Sequence, residues 1–353
     1  MILAQVCPRY YPYIGGVETH VREISERLVK KGFKVEVLTT DPSGKLPREE
    51  IMNGVKVKRF KSWAPNENYH FSRGLKKYLM KYSNKYDVVH AHSYHDFPAL
   101  YAAQAENRNK LVFSPHYHGR GHTFFRSLLH IPYKLLGKKI VDKADKIICV
   151  SNYERRLFAK TFGIKNENIT VIPNGVNLEE FKRPEKKKKN NRVILYVGRI
   201  EKYKGIHYLI KVLPKLDKGI ILDIVGKGPY KPNVVKLTRS LGVENKVKFS
   251  QDLPRDKLLQ KYSDADLFVL LSKHEAYGIS VAEALASRTP CVLANTSALK
   301  EWVDNENCFG IDYPINLNEL ANLLNSVIGK DLEELKLCDW SEITETLVNL
   351  YES

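Results

Sequence analysis

The sequence is poor in cysteine and has no long hydrophobic run. Its five cysteines form no CxxC pair, which argues against a disulfide framework and against a zinc site. No run of about 18 apolar residues occurs, and the first residues show neither a basic n-region nor a long apolar h-region. We therefore expect a cytoplasmic protein that neither carries a signal peptide nor spans a membrane. The cysteines are Cys7, Cys149, Cys291, Cys308 and Cys338.

Acidic residues are also scarce relative to basic ones. The 353 residues include 57 Lys+Arg and 40 Asp+Glu, for a formal net charge of +17. Such an excess favours an anionic partner: nucleic acid, an anionic membrane face or phosphorylated small molecules. A hydrophobic content of 43% with 27% charged residues is typical of a folded protein, and the length favours two domains.

Short apolar runs alternate with longer amphipathic ones along the chain, which predicts βαβ units around parallel sheets. The alternation stops at the charged stretch EEFKRPEKKKKNNR, residues 179–192, and resumes at RVILYVGR. We predict an α/β protein with two Rossmann-like domains, residues 1–182 and 190–335, facing each other across a cleft. A closing helix over residues 339–353 is expected to pack back on the first domain.

The stretch HEAYGISVAEALASRTP, residues 274–290, contains two glutamates eight positions apart. The buried run before it predicts a strand and the alanine-rich run after it a helix, so Glu275 falls in the strand-to-helix turn and Glu283 inside the helix. Backbone N–H groups of the turn and helix start can bind phosphate or hydroxyl groups; these belong to Ala276, Tyr277, Gly278 and Ile279. A ligand with phosphates and hydroxyls, such as a nucleotide sugar, suits this combination.

Three further motifs follow predicted strands. VGRIEKYKG places Arg199 and Lys204 where both could neutralise a diphosphate, although isolated basic residues are more often surface charges. IVGKGP contains Gly226 and Gly228, which permit close backbone approach to a ligand but also suit a plain turn. YIGGVE puts Gly15 and Gly16 at the first strand-to-helix turn, another anion-binding geometry.

In this order, GGVE, VGRIEKYKG, VGKGP and HEAYGISVAEALASRTP resemble the retaining GT-B glycosyltransferases of family GT4. The resemblance implies that Glu275 contacts donor-sugar hydroxyls, that Glu283 holds the ribose, and that Arg199 and Lys204 bind the diphosphate. It also implies that Gly15 and Gly16 form a glycine loop near the phosphates and acceptor. The family's histidine near the donor sugar matches His116 in LVFSPHYHG, with His118 as the alternative.

The run VVHAHSYHD supplies His90, His92, His95 and Asp96 after another predicted strand. We expect an acceptor role for His92 and His95, shared with His118, or a structural one. A metal site is the competing interpretation, but the spacing does not match standard zinc motifs, and the resemblance implies that catalysis needs no metal.

One position departs from the family pattern. The helix-to-strand turn reads ASRTP, with Arg288 where the family usually has glycine. A backbone conformation comfortable only for glycine would be strained by arginine.

The resemblance implies metal-independent, retaining transfer of a hexose from a nucleotide-diphosphate sugar to a sugar, lipid-linked or small-molecule acceptor. No cofactor is expected, and UDP- or GDP-sugars are the expected donors. A 2-epimerase acting on nucleotide sugars is the alternative within this fold, and a nucleic-acid-binding protein or a protein of anionic surfaces is the alternative outside it. Residues 126–146 mix leucine, isoleucine and tyrosine with lysines. This pattern is more typical of a core-facing helix, and peripheral contact with the inner membrane face is the alternative hypothesis.

Overall fold

The computed structural model describes residues 1–65, 69–105, 110–117, 119, 124–181, 191–333 and 336–353; of residues 124–133 it describes the backbone alone. Most of the charged tract at 179–192, namely residues 182–190, therefore lies outside the described residues. The chain divides into two compact units, Met1–Asn174 with Trp340–Ser353 and Gly175–Asp339.

The first unit is built on a sheet in the order β3-β4-β2-β1-β5-β6-β7-β8 among its described residues. All neighbours are parallel except the β3–β4 hairpin. Strands such as β5, VVHAH, are buried along their whole length, as expected where helices cover both faces of a parallel sheet. The strands are β1 (Ile2–Val6), β2 (Lys34–Asp41), β3 (Glu49–Met52), β4 (Val55–Lys61), β5 (Val88–His92), β6 (Lys110–Ser114), β7 (Lys146–Cys149) and β8 (Ile169–Val171).

The helices of this unit connect the parallel strands and close the chain. They are α1 (Gly16–Lys30), α2 (Arg73–Tyr82), α3 (Phe97–Gln104), α4 (Phe124–Lys143), α5 (Asn152–Phe162) and the terminal α11 (Trp340–Glu352). The last helix buries Trp340, Ile343, Leu347 and Tyr351 in the core beneath α1 and β1. None of the described helices is long and apolar enough to cross a membrane.

The second unit carries an all-parallel sheet in the order β11-β10-β9-β12-β13-β14 among its described residues. Its strands are β9 (Arg192–Val197), β10 (Ile220–Val225), β11 (Val247–Ser250), β12 (Leu267–Leu270), β13 (Cys291–Ala294) and β14 (Cys308–Ile311), and its helices are α6 (Ile206–Val212), α7 (Lys231–Ser240), α8 (Arg255–Asp264), α9 (Ile279–Ala286) and α10 (Leu317–Val327). Two Rossmann-like α/β units are confirmed.

The division between the units lies at residue 174, eight residues before the predicted boundary at 182. The reason is packing: Val176 and Phe181 are buried in the core of the second unit, and Val176 pairs with Asp339 in an isolated parallel bridge. The segment before the charged tract therefore belongs to the second unit.

Candidate functional site

The two charged residues singled out in the second unit meet directly. Lys204 is the last residue of a 3₁₀ turn, Lys202–Lys204, that follows β9. Glu275 follows β12, the strand beside β9 in the sheet. Lys204 Nζ donates a short hydrogen bond to Glu275 Oε1. Both side chains are only 14% exposed, so the pair is a largely desolvated ion pair at the carboxyl edge of the sheet.

The electrostatics of Lys204 follow from this pairing. Burial alone would lower the pKa of its ammonium group, but the charge of Glu275 and the hydrogen bond to it outweigh burial and raise that pKa. Lys204 therefore stays cationic. Because an ammonium group has three donors, Lys204 can keep Glu275 and still bind an anionic group.

Arg199 lies on the loop after β9 and is more exposed than Lys204. Its side chain is 56% exposed and donates to Glu201 Oε1 at 3.2 Å. The charge of Arg199 lowers the pKa of Lys204 slightly, whereas Glu275 raises it by more. The two cations are therefore close enough to interact. The structure thus brings Arg199 near Lys204 without a direct bond.

The glycines of IVGKGP have a packing role. A Cβ on Gly226 would overlap the carbonyl oxygen of Gly198, and one on Gly228 would overlap that of Ile200. Ile200 N donates to Lys227 O at 2.9 Å, which locks the two loops together. This explains both glycines through contact with the Arg199 loop; their predicted contact with a ligand stays a prediction.

The turn between β12 and α9 is fixed by hydrogen bonds to residues that follow β13. Glu275 N donates to Ser297 Oγ at 3.1 Å, and Trp302 Nε1 donates to Tyr277 O at 2.9 Å. Gly278 precedes α9 with a φ of 106°, a left-handed value that glycine adopts readily. The predicted strand, turn and helix are confirmed, so the N–H groups at the start of α9 lie just after Glu275 in the chain.

Glu283 lies in α9 and is 12% exposed. Its Oε1 accepts from Arg255 at 2.5 Å and its Oε2 from Tyr262 Oη at 2.8 Å. Arg255 also pairs with Glu180 at 2.7 Å, and these two acidic groups raise its pKa against the effect of burial. Sequence reasoning missed this network, because the spacing of Glu283 to Arg255 and Tyr262 follows no local motif.

In the first unit the glycine loop starts a helix as expected, with Gly15 preceding α1. The space beside Gly15 is filled by the carboxylate of Glu18, which pairs with Arg9 at 2.9 Å. Glu18 is 6% exposed. A carboxylate already lies at this helix start, so the phosphate-binding role predicted for Gly15 and Gly16 stays a prediction.

His116 follows β6 in a strained conformation, with a φ of 47°, a left-handed value that is uncommon outside glycine. Its Nε2 lies 3.3 Å from His92 Nδ1, and its ring packs edge-on against His20 at 4.9 Å between centroids. Burial and neighbouring histidines lower the pKa values of His92 and His116 well below the usual range, so both are neutral. His20 was missed because it lies inside α1, far away in sequence.

The other histidines predicted for the acceptor site differ in their surroundings. His92 is fully buried and bonded to Gln5 Oε1 at 2.7 Å, so in this structure it packs inside the unit. His95 stacks on Tyr117 at 5.7 Å, while Asp96 pairs with His70 at 2.6 Å. His118 lies outside the described residues. The acceptor roles of these histidines stay predictions.

Glu154 holds the His116 segment in place and was not predicted. It is fully buried and accepts backbone hydrogen bonds from Tyr117 N and from Val150 N at 2.7 Å. Burial raises the pKa of this carboxyl group to about 8, although the two N–H donors oppose the shift. It ties the ends of β6 and β7 together.

Arg288 adopts a left-handed backbone conformation, the kind that glycine tolerates best. Its φ is 55°, and the residue is exposed in the turn between α9 and β13. Arg288 therefore carries backbone strain at the position where the family usually has glycine.

Two Rossmann-like α/β units in one chain are the architecture of the GT-B glycosyltransferase fold, and glycosyltransferase structures superpose on the whole chain. The chain belongs to the glycosyltransferases of this class: residues 14–180 match the family described as Glycosyltransferase Family 4, and residues 177–339 match Glycosyl transferases group 1.

Its relatives span almost the whole chain. An uncharacterised glycosyltransferase of Methanocaldococcus jannaschii is 27% identical over 100% of this chain and 98% of its own. The sucrose-phosphate synthase structure from Thermosynechococcus elongatus superposes with a TM-score of 0.83 at 20% identity, over 99% of this chain and 98% of that one. The Anabaena HepE structure in complex with UDP and glucose gives 0.80 at 19% identity, over 100% and 99%.

Proposed function

We propose that this protein transfers a hexose from a nucleoside-diphosphate sugar, UDP- or GDP-linked, to an acceptor hydroxyl, with retention at the anomeric carbon. The observation that carries the proposal is the buried Lys204–Glu275 pair beside the start of α9. A fixed cation and a fixed carboxylate suit a ligand that has phosphates at one end and sugar hydroxyls at the other. The HepE complex with UDP and glucose supports a uridine donor.

Each charged group has a separate task along the donor. Lys204, with Arg199 beside it, stabilises the diphosphate; Glu275 accepts hydrogen bonds from sugar hydroxyls; and Glu283 accepts them from the ribose. Glu283 is pre-oriented by Tyr262 and Arg255, and a carboxylate has about four acceptor positions, so both existing bonds can persist with ribose bound.

In the reaction the bond between the anomeric carbon and the β-phosphate oxygen breaks, and a bond from the acceptor oxygen to the same carbon forms. Negative charge grows on the leaving phosphate, where Lys204, Arg199 and the N–H groups at the start of α9 stabilise it. The acceptor attacks on the face that the phosphate leaves, and the β-phosphate takes the acceptor's proton. This route follows from the family resemblance and gives retention without a carboxylate nucleophile.

Charge balance at the diphosphate does not call for a metal ion in this proposal. Lys204 stays cationic because Glu275 raises its pKa, and it can turn donors towards the phosphates. His116 keeps the role that the resemblance implies, near the donor sugar; as a neutral ring it can donate or accept one hydrogen bond there.

Two other functions make different predictions. A 2-epimerase would change the configuration at C2 of the donor sugar and transfer no hexose to an acceptor. A nucleic-acid-binding protein would need a basic surface but no Lys204–Glu275 pair. Family membership and the buried pair both favour the transferase.

Contact with an anionic membrane face is a further proposal. In the described part of α4, Leu135 is 70% exposed and the side chains of Lys134, Lys138 and Lys139 are exposed. Each lysine near an anionic surface contributes about 1 kcal/mol. Sedimentation with anionic but not neutral vesicles, abolished by Leu135→Glu, supports this; a protein left wholly in the supernatant at low salt contradicts it.

The transferase proposal is tested by incubating the protein with UDP-, GDP- and ADP-hexoses in EDTA, with a panel of sugar and lipid-linked acceptors. Mass spectrometry should show nucleoside diphosphate released together with a glycosylated acceptor. Lys204→Ala should lower the rate of product formation by about 10²–10³, while Lys202→Ala, exposed on the same 3₁₀ turn, should leave it unchanged. Epimerised donor with no transfer product would instead identify an epimerase.

A further inference from the structure

Three histidine rings converge inside the first unit. His20, His92 and His116 each have a ligand atom within 4.8 Å of the other two. Their ring centroids form a nearly regular triangle with separations of 4.9, 5.4 and 5.6 Å. The three residues come from α1, the end of β5 and the segment after β6, so the fold of the sheet brings them together.

We propose that these three histidines form a binding site for one divalent transition-metal ion of the Zn²⁺ class. Imidazole nitrogens suit Zn²⁺, Ni²⁺ and Cu²⁺. Three histidines with water in the fourth position form a known type of zinc centre. The histidine spacing within residues 90–96 does not match a standard zinc motif. The proposed site contains only His92 from that segment.

One ring nitrogen of the set has no hydrogen-bond partner. His20 is 2% exposed; its Nδ1 lies 2.6 Å from Asn174 Oδ1, while its Nε2 is buried without a partner. An amide oxygen can only accept, so Nδ1 carries the proton and Nε2 has a free lone pair. Leaving such a group unsatisfied is unfavourable, and a metal ion bound to Nε2 would satisfy it.

The tautomer of His92, the second proposed ligand, is also fixed by an amide oxygen. His92 Nε2 lies 2.7 Å from Gln5 Oε1. The Gln5 amide nitrogen donates to Tyr351 Oη at 3.4 Å, so its oxygen is the atom that faces His92. His92 therefore carries its proton on Nε2 and turns the lone pair of Nδ1 towards His116. Partners that fix the tautomer in this way typically support metal-binding histidines.

The three nitrogens are close enough to bind one ion once the rings turn towards it. Bonds of about 2.0–2.1 Å from Zn²⁺ to nitrogen place two ligand atoms roughly 3.3–3.4 Å apart, and His92 Nδ1 and His116 Nε2 are 3.3 Å apart. In the structure, however, these two nitrogens face each other in a His–His hydrogen bond, and the ligand atoms of the set lie within 4.8 Å of one another. Metal binding therefore replaces that hydrogen bond and turns the rings towards the ion. His116 is partly exposed, so the set is not closed off from solvent.

The test is a Co²⁺ titration of the full chain after EDTA treatment and desalting, followed by visible absorption. The Cys338→Ser background removes the one exposed thiol of the five cysteines. We expect one tetrahedral Co²⁺ per chain, displaced by Zn²⁺. His20→Gln should weaken binding at least 100-fold, and Asn174→Ala, which frees the tautomer of His20, by 10–100-fold.

His207→Gln is the matched control, because His207 is half-buried in α6 of the other unit; it should leave Co²⁺ binding unchanged. Thermal melts identify any variant that fails to fold, in which case the other variant decides. No Co²⁺ band in the wild type overturns the site, and so does wild-type affinity for Co²⁺ in folded His20→Gln and Asn174→Ala. Either result leaves water as the partner of His20 Nε2.

A second readout rests on the proposed function. A metal bound to His116 withdraws that ring from the donor, so Zn²⁺ should inhibit transfer in the wild type and not in His20→Gln. Co²⁺ binding without Zn²⁺ inhibition would contradict the donor role of His116, while the metal site itself would stand.

Discussion

Lys204 and Glu275 form one buried ion pair at the ends of two adjacent strands, β9 and β12. Removing either partner leaves an uncompensated charge at the proposed donor site. We expect Lys204→Ala and Glu275→Gln each to lower kcat/KM by about 10²–10³, the range for loss of one preorganised electrostatic group. Because the two residues act as a unit, the double variant should lose much less than the product of the single losses.

Steady-state kinetics of the four proteins checks this prediction, with Lys202→Ala as the control on the same turn. Losses that simply multiply would mean that the two side chains act independently and that their contact is incidental.

Arg255 is expected to affect donor binding through Glu283. Arg255→Met removes one of the two hydrogen bonds that orient the Glu283 carboxylate, and also frees Glu180. We predict that KM for the donor rises about 10-fold while kcat changes less, since a 10-fold change corresponds to about 1.4 kcal/mol. Lys257→Met, exposed on the same helix, should change neither. An equal fall in kcat with KM unchanged would assign Arg255 to the chemical step instead.

Replacing Arg288 by glycine should stabilise the protein. A left-handed conformation costs a non-glycine residue about 1–2 kcal/mol, and glycine returns part of this as unfolded-state entropy, so we expect a gain of roughly 0.5–1 kcal/mol in the free energy of unfolding. Arg288→Ala keeps the strained backbone and should show no gain. Urea denaturation of the three proteins measures the difference, and equal stability of the glycine and alanine variants would show that the turn is not strained.

The buried histidines should make the protein sensitive to acid. Burial lowers the pKa of His20 to about 4, below its ordinary value of about 6.5. Its contribution to stability is complete above pH 6.5 and decreases as the pH falls towards 4. Linkage predicts a loss of roughly 2 kcal/mol between pH 7.5 and 5 from His20 alone. His90, His92 and His116 act in the same direction.

The measurement is the free energy of unfolding of wild type and His20→Gln at both pH values. The variant should lose about 2 kcal/mol less than the wild type. Glu154 opposes the trend, because its raised pKa of about 8 makes stability fall as the pH rises from 4.5 to 8, but it does so equally in both proteins. Identical pH dependence of the two proteins would show that the pKa of His20 is the same in the folded and unfolded states.

Much of the fold was predictable because buried parallel strands appear as short apolar runs; β5 and β12 are fully buried. The β3–β4 hairpin was not predicted. Its signals were present: Asn53-Gly54 is a strong hairpin turn, and β4 alternates buried and more exposed positions. The βαβ alternation of the rest of the chain does not predict an antiparallel pair at this place.

Site residues that belong to one local motif were predictable from the sequence. Pairs formed by residues from distant elements were not. Glu275 and Lys204 each belong to a local pattern, whereas the pairing of Glu283 with Arg255 depends on how α8 and α9 pack. Likewise, His20 meets His92 and His116 only because α1, β5 and β6 adjoin one sheet. Glu154 carries no sequence signal beyond its place at the start of α5, since burial defines its role.

The most direct test of the central claim is calorimetric titration with UDP, GDP and ADP in EDTA, using wild type and Lys204→Ala. The account predicts that one nucleoside diphosphate binds the wild type without metal and that Lys204→Ala weakens it by at least 10-fold, with Lys202→Ala unchanged. Absence of binding by all three, or equal binding in wild type and Lys204→Ala, would contradict the assignment of this site to a nucleotide-sugar donor.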